Sequence, residues 1–239
     1  MKRGSLIVLF LLVAVVSGCQ FGGQEPSQTT GAFVGGAKGL TLKFAQGEPP
    51  ASVLDFQQET FFITLLLKNE GEFTIPPNGI VATLSGISKE AFGLASLSKK
   101  NSFEISGAKK DGEFITQGVE ESLEFGEASY KYDVPADFST TMRADVCYTF
   151  QTNALSNLCL KKNVLRKDIE DVCNVNIPTL QIQSSGAPIQ LTTGRESAVG
   201  TNKIKLTFKI INAAGGAVYE PGTFVNDCAG KEENKDKVK

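Results

Sequence analysis

Cys19, Cys147, Cys159, Cys173 and Cys228 are the residues of this chain best equipped for chemistry, and there is no His to assist them. Without an imidazole, no reading built on a His base, a His-paired nucleophile or a His-ligated metal survives. The thiols are left with disulfides, a metal site or modification. No two of them lie close enough in sequence to grip one ion as the paired cysteines of a zinc ribbon do, so no metal ligand set is expected. The carboxylates are no more promising. Glu120-Glu121 and Glu170-Asp171 are adjacent pairs, and neighbours on a strand point to opposite faces, so neither pair can flank one scissile bond. No Gly-x-Ser-x-Gly elbow, Ser–Lys nucleophile pair or calcium-loop spacing is expected. The reading is therefore of a non-enzyme with no catalytic residue, cofactor or metal.

The N-terminus sets the compartment. Lys2 and Arg3 precede an apolar run from Leu6 to Val16, which closes on Ser17 and Gly18 before Cys19. This is the order of an export signal: positive residues, a short apolar core, small residues at the cleavage site. The run is shorter than the roughly 20 residues that cross a ~30 Å hydrocarbon layer as a helix. Val16-Ser17-Gly18-Cys19 resembles the lipobox of prokaryotic lipoproteins. That resemblance implies a signal peptide over residues 1–18, a lipid on the Cys19 thiol, and a protein anchored in the membrane and facing outward.

Residues 19–39, rich in Gly, Gln, Ser and Thr, lack the apolar content to fold and read as a flexible tether. Gly35-Gly36-Ala37-Lys38-Gly39 lacks the ending of a phosphate-binding loop and reads as linker. From residue 40 the pattern changes to period two. Leu40 to Phe44, Phe61 to Leu67 and Ile80 to Leu84 alternate between turn clusters such as Asn69-Glu70-Gly71 and Pro76-Pro77-Asn78-Gly79. Further strands are expected near Ser102–Ile105, Glu120–Phe125 and Ser129–Val134. A short helix is expected within Ser88–Leu97, with Phe92 and Leu94 plugging an end of the core. Together these predict an all-β, immunoglobulin-like antiparallel sandwich over residues 40–165.

Setting Cys19 aside, the exported part holds four cysteines, which allow three pairings. If Arg143–Gln151 forms a hairpin with Leu155–Asn163, one register sets Cys147 opposite Cys159 while pairing Val146 with Leu160, Tyr148 with Leu158 and Asp145 with Lys161. One face is then apolar, which is what pins register in a half-buried ribbon. This favours a Cys147–Cys159 disulfide and leaves Cys173 for Cys228.

After the charged connector Arg166–Asp171 the strand signals resume over 172–228, at Thr179–Gln183, at Pro188–Thr192 and in the strictly alternating Ile204-Lys205-Leu206-Thr207-Phe208-Lys209-Ile210. That strand ends at Asn212 and enters a Gly-bearing turn and a short apolar run before Pro221. Phe62 to Leu67 likewise runs into Asn69, Gly71 and Pro76, which suggests duplicated units. The pattern resembles the immunoglobulin-like repeats of prokaryotic cell-surface proteins, archaeal ones especially. So does the run from Cys147 to Cys159 following Gly39–Phe44. The resemblance implies fold and surface location and transfers no catalytic position.

The second unit has too few strands to close a sandwich, and residues 229–239 read as a charged, solvated tail. Either the chain continues elsewhere or a partner strand completes the unit. With 24 basic against 26 acidic side chains there is no basic field for nucleic acid. Adhesion, scaffolding or partner binding through strand edges is the expected role. A small-ligand or carbohydrate-binding lipoprotein, or a subunit of a larger surface assembly, stands as the alternative. The absence of Trp and the presence of only four Tyr weigh against a carbohydrate platform.

Overall fold

A computed structural model describes residues 31–163 and 173–239. The protein is mostly β, built from several small antiparallel sheets. β1 (Leu40–Phe44), β2 (Phe61–Asn69) and β7 (Glu120–Ala128) form one three-stranded sheet with β2 at its centre. A second three-stranded sheet has β3 (Ile80–Ser85) at its centre, with β4 (Ser98–Lys100) on one side and β8 (Arg143–Tyr148) on the other. β5 (Lys109–Asp111) and β6 (Phe114–Thr116) make a small hairpin. β9 (Ala154–Ser156) pairs with β10 (Ile182–Ser184), and β11 (Ile189–Val199) with β12 (Lys203–Asn212).

The alternation read from the sequence decides which side chains enter the core. On β2, Phe61, Ile63, Leu65 and Leu67 are buried while Phe62 is exposed. Ile80, Ala82 and Leu84 of β3 and Leu123, Phe125 and Ala128 of β7 join the same cluster. The two three-stranded sheets thus share one apolar interior. β7 carries a bulge at Phe125–Gly126, opposite Ile63 and Thr64, and Gly126 there has a φ of +104° that few other residues would adopt. The short helix α1 (Lys89–Phe92) forms where expected. Ser88 caps it through Oγ, which accepts from Ala91 N at 3.3 Å, and Phe92 and Leu94 are buried at the end of the core.

Two buried asparagines close the loops. Asn69, at the end of β2, donates from Nδ2 to the carbonyls of Phe73 (2.7 Å) and Ile105 (3.1 Å), and its Oδ1 accepts from Gly71 N (3.1 Å). Asn101 accepts from Ile80 N at 2.9 Å and donates to Pro76 O at 3.0 Å. Each replaces the water that these backbone groups lose on burial.

Several strand expectations need correction. Residues 102–105 supply only an isolated bridge, Ile75 with Ile105, because Asn101 and Asn69 already take up the local carbonyls. Residues 129–134 are irregular, tied to the 55–58 turn through Phe56 N to Tyr132 O and Gln57 N to Tyr130 O. The expected hairpin of Arg143–Gln151 with Leu155–Asn163 does not form. β8 instead pairs with β3, Ile80 to Tyr148 through Ser85 to Arg143, so that Ala144, Val146 and Tyr148 pack on the main core. Burial against an already assembled sheet outweighs a local ribbon whose apolar face would stay half wet.

Leu65→Ala, which opens a cavity in the middle of the core, is expected to cost about 3 kcal/mol in urea unfolding, against less than about 1 kcal/mol for Phe62→Ala. Burial pushes the Tyr148 phenol above its ordinary value, partly offset by its hydrogen bond to the Leu40 backbone. The folded state therefore holds the proton more tightly than the unfolded chain. This contribution is complete below pH ~10 and is lost as pH rises through the folded value. Urea midpoints measured across that range should show a component that Tyr148→Phe removes.

Candidate functional site

The cysteines are placed differently from the sequence expectation. Disulfides join Cys147 to Cys228, with Cα atoms 5.6 Å apart, and Cys159 to Cys173, with Cα atoms 5.7 Å apart. The favoured pairs Cys147–Cys159 and Cys173–Cys228 are therefore incorrect. With β8 committed to β3, Cys147 sits opposite Val81, and the segment carrying Cys228 crosses this sheet: Cys228 Sγ lies 3.2 Å from Val81 O and Cys228 N donates to Thr83 Oγ1 at 3.4 Å. Cys159, buried, instead meets Cys173 beside Val175. The first bridge straps the end of the chain to the main core, and the second staples a small second core. Two such bridges point to an extracytoplasmic protein, since cytosolic thiols are kept reduced. Cys19, the expected lipidation site, lies outside the described residues, as do the signal run and Glu170-Asp171.

Carboxylates do not converge. Glu120 and Glu121 start β7; Glu120 pairs with Lys43 at 3.2 Å on the open surface, while Glu121 stands opposite Leu67 in the ladder. Two Ser-x-x-Lys spacings are present in the chain after all, Ser96 to Lys99 and Ser106 to Lys109. Neither makes a nucleophile pair. Ser96 Oγ is occupied by Ser98 O and N, Lys99 donates to Glu124 O, and Ser106 donates to Glu104 at 3.4 Å. Among the described residues no cluster of Cys, Asp and Glu is arranged to hold a metal.

The side chain that organises the junction, and that the sequence reading passed over, is Glu72. Its Oε1 accepts from Val34 N (3.0 Å) and its Oε2 from Gly35 N (3.0 Å) and Gly186 N. Glu72 N in turn donates to Gly186 O at 2.9 Å. One carboxylate thus binds three backbone amides from two distant segments, an arrangement stronger than neutral pairs supply. Gly71 beside it is held within van der Waals reach of Gly186 O, Lys38 O and the Phe150 ring, so a Cβ there would collide. Residues 31–39, read as tether, are consequently docked: Gly36 O accepts from Ala187 N, and Ala32 N donates to Gln183. The only hint in the sequence was an acidic residue in the turn after Asn69.

The second body of strands presents the most unusual surface. β10 leans on β11 through Leu180–Gly194 and Ser184 Oγ to Leu191 O. Beneath one end of the β11–β12 hairpin lie Cys159, Val175, Ile177, Ala198 and Ile204. Glu196 is wholly buried there, its Oε2 accepting from Cys159 N at 3.1 Å. Toward the other end the apolar face is uncovered. Phe208 is 43% and Ile210 50% exposed, and beside Phe208 the residues Leu155 and Leu158 are also exposed. A shallow apolar groove runs between Leu155, Leu158, Ile182, Leu191 and Phe208. β12 has β11 on one edge; among the described residues no strand lies on the other. The charged run 231–239 turns back through a bridge between Tyr219 and Lys235 and ion pairs of Lys237 and Lys239 with Glu220.

At the opposite extreme, loop residues around Tyr130 form an aromatic group. Tyr132 and Phe138 lie 6.0 Å and 5.5 Å from the Tyr130 ring and are exposed. Phe56, in a left-handed conformation with φ 51°, is exposed beside them.

Compared with known protein families, with curated proteins and with solved structures, the chain matches none.

Proteolysis without reduction is expected to release Cys147–Cys228 and Cys159–Cys173 peptides. Glu72→Ala should raise hydrogen exchange at Val34, Gly35 and Gly186 together and cost about 2 kcal/mol, because three partly buried amides lose one partner.

Proposed function

We propose that this protein is a lipid-anchored, surface-exposed, non-catalytic β-protein that works by binding partners, as an adhesive or scaffolding module. Its main body is read as an immunoglobulin-like sandwich and residues 172–228 as a shorter second unit of the same kind. The sandwich reading is supported by the two three-stranded sheets that bury their inner faces against one another. Export is supported by the two disulfides and by the order Lys2, Arg3, apolar run, Cys19.

The observation that carries partner binding is the uncovered apolar face of the β11–β12 hairpin. Phe208, Ile210, Leu155 and Leu158 are gathered in one region and left in water, whereas isolated exposed apolar residues are ordinary. Glu72 ties the segment leading into β11 to the main body at Gly186, and the Cys147–Cys228 bridge ties the segment that follows β12. Membership of a larger surface assembly is one form of the same proposal. The alternative of a small ligand or carbohydrate draws on Phe56, Tyr132 and Phe138, whose exposed rings offer a stacking surface.

The test is fractionation of cells producing the full chain. The wild type is expected in the membrane fraction, with a mature N-terminus beginning at a lipid-modified Cys19 by mass spectrometry. Cys19→Ser should move the protein out of that fraction without changing its melting temperature. Recovery of unprocessed chain in the cytosol, with reactive thiols, would overturn the proposal. Tyr132→Ala changing affinity for a soluble glycan, with the β12 face untouched, would favour the alternative.

A further inference from the structure

β2 and β12 can be superposed residue by residue from their terminal asparagines. Phe61, Ile63, Leu65 and Leu67 fall on Ile204, Leu206, Phe208 and Ile210, Thr64 falls on Thr207, and both strands end in Asn. The structure extends the match beyond the strand. Asn69 donates its amide to the carbonyl of Phe73, and Asn212 donates to that of Gly216, four residues on in each case. The segment that follows then makes an isolated antiparallel bridge in both places, Ile75 with Ile105 and Tyr219 with Lys235. Each strand also has its antiparallel neighbour on one side, β1 for β2 and β11 for β12.

The correspondence stops at the other edge. β2 is covered there by β7, whose Leu123 and Phe125 enter the core while Glu120 stands opposite Lys68 and Glu124 opposite Thr64. β12 has nothing in that place among the described residues. The faces differ as well: Leu65 and Leu67, packed against Ile80, Ala82 and Leu84 of the facing sheet, are 0% exposed, but their counterparts Phe208 and Ile210 are about half exposed.

We propose that the open edge of β12 receives an antiparallel strand from a partner protein, one whose residues alternate between apolar and acidic, in the position β7 occupies beside β2. The inference rests on the reading of the protein as a partner-binding module and is independent of the anchor. The apolar residues of the incoming strand lie over Phe208 and Ile210. Its acidic residues lie on the other face, beside Lys203, Lys205 and Lys209, which alternate along β12 without a carboxylate among them. Opposite charges across adjacent strands are favourable and like charges facing one another are not. The same lysines disfavour one register of a second copy, since a two-fold antiparallel pair centred on Thr207 sets Lys205 opposite Lys209 of the other chain, and a second copy in another register is an outcome the experiment below separates. Edge lysines are a device against indiscriminate strand addition, and an acidic strand is the one they admit. Among the described residues the outer edge of β7 is also open, but its apolar side chains are buried and Gly126 bulges it, so it offers no comparable apolar face.

The experiment uses the full chain in detergent with two labelled peptides of about ten residues, one alternating Val and Glu, the other Val and Lys. The Val–Glu peptide is expected to bind by fluorescence anisotropy, to weaken as salt is raised, and to slow hydrogen exchange at alternate amides between Lys205 and Ile210. Lys205→Glu with Lys209→Glu should weaken it at least about tenfold and transfer preference to the Val–Lys peptide. Equal binding of both peptides, or no binding of either up to millimolar concentration, would refute the proposal. So would a concentration-dependent dimer that the double substitution abolishes, since the occupant would then be a second copy. A chain that remains lipid-anchored yet takes no strand leaves the proposed function standing and removes this inference alone.

Discussion

A β-strand has two edges and two faces, and the protein is organised by how fully these are satisfied at β2. Its backbone is paired with β1 on one edge and β7 on the other, and Ile63, Leu65 and Leu67 on its inner face lose all contact with water. Asn69 then ends the strand by supplying the hydrogen bonds that the buried turn needs. The second sheet, α1 and the loop closed by Asn101 all pack on, or brace, the interior that β2 defines. Removing water from apolar area of this extent is the dominant favourable contribution, and it is possible only because the accompanying backbone groups are paired.

The rest of the molecule is attached to that interior by a few directional links. Glu72 gathers amides from residue 34, residue 35 and residue 186, and the Cys147–Cys228 bridge returns the end of the chain to the β3–β8 pair. These links are specific and covalent or charge-assisted, whereas the core they hold around Cys159 and Val175 is small. A body with so little apolar interior of its own depends on staples, and the Cys159–Cys173 disulfide is one. The same shortage of interior leaves Phe208 and Ile210 in water. At β12 both deficits coincide among the described residues, an edge with no neighbouring strand and an apolar face with no facing layer.

Much of the fold was legible because alternation and turn residues act locally. β1, β2, β3, β7 and β12 lie where period two and the Asn, Gly and Pro clusters put them, the short helix forms within Ser88–Leu97, and β11 starts where expected but runs on to Val199, beyond the expected end at Thr192. The echo between Phe62–Asn69 and Ile204–Asn212 was legible for the same reason, since both strands end in the same local asparagine bond. Strand partners were not legible in this way. The register proposed between β8 and residues 155–163 was self-consistent, yet β3, far away in sequence, offered Tyr148 and Val146 a buried surface and the adjacent ribbon did not.

By itself the sequence determined the secondary-structure class, the buried faces of the principal strands, the exclusion of imidazole chemistry and the presence of four cysteines able to form two bridges. Each of these follows from residue type or from spacing along a few residues, and so needs no knowledge of what lies across the core. Tertiary structure alone decided that Cys147 meets Cys228 and Cys159 meets Cys173, that Glu72 gathers two remote segments, and that among the described residues β12 has one edge unpaired. Those outcomes depend on which distant surfaces come together to exclude water, a competition among contacts whose partners are separated by most of the chain.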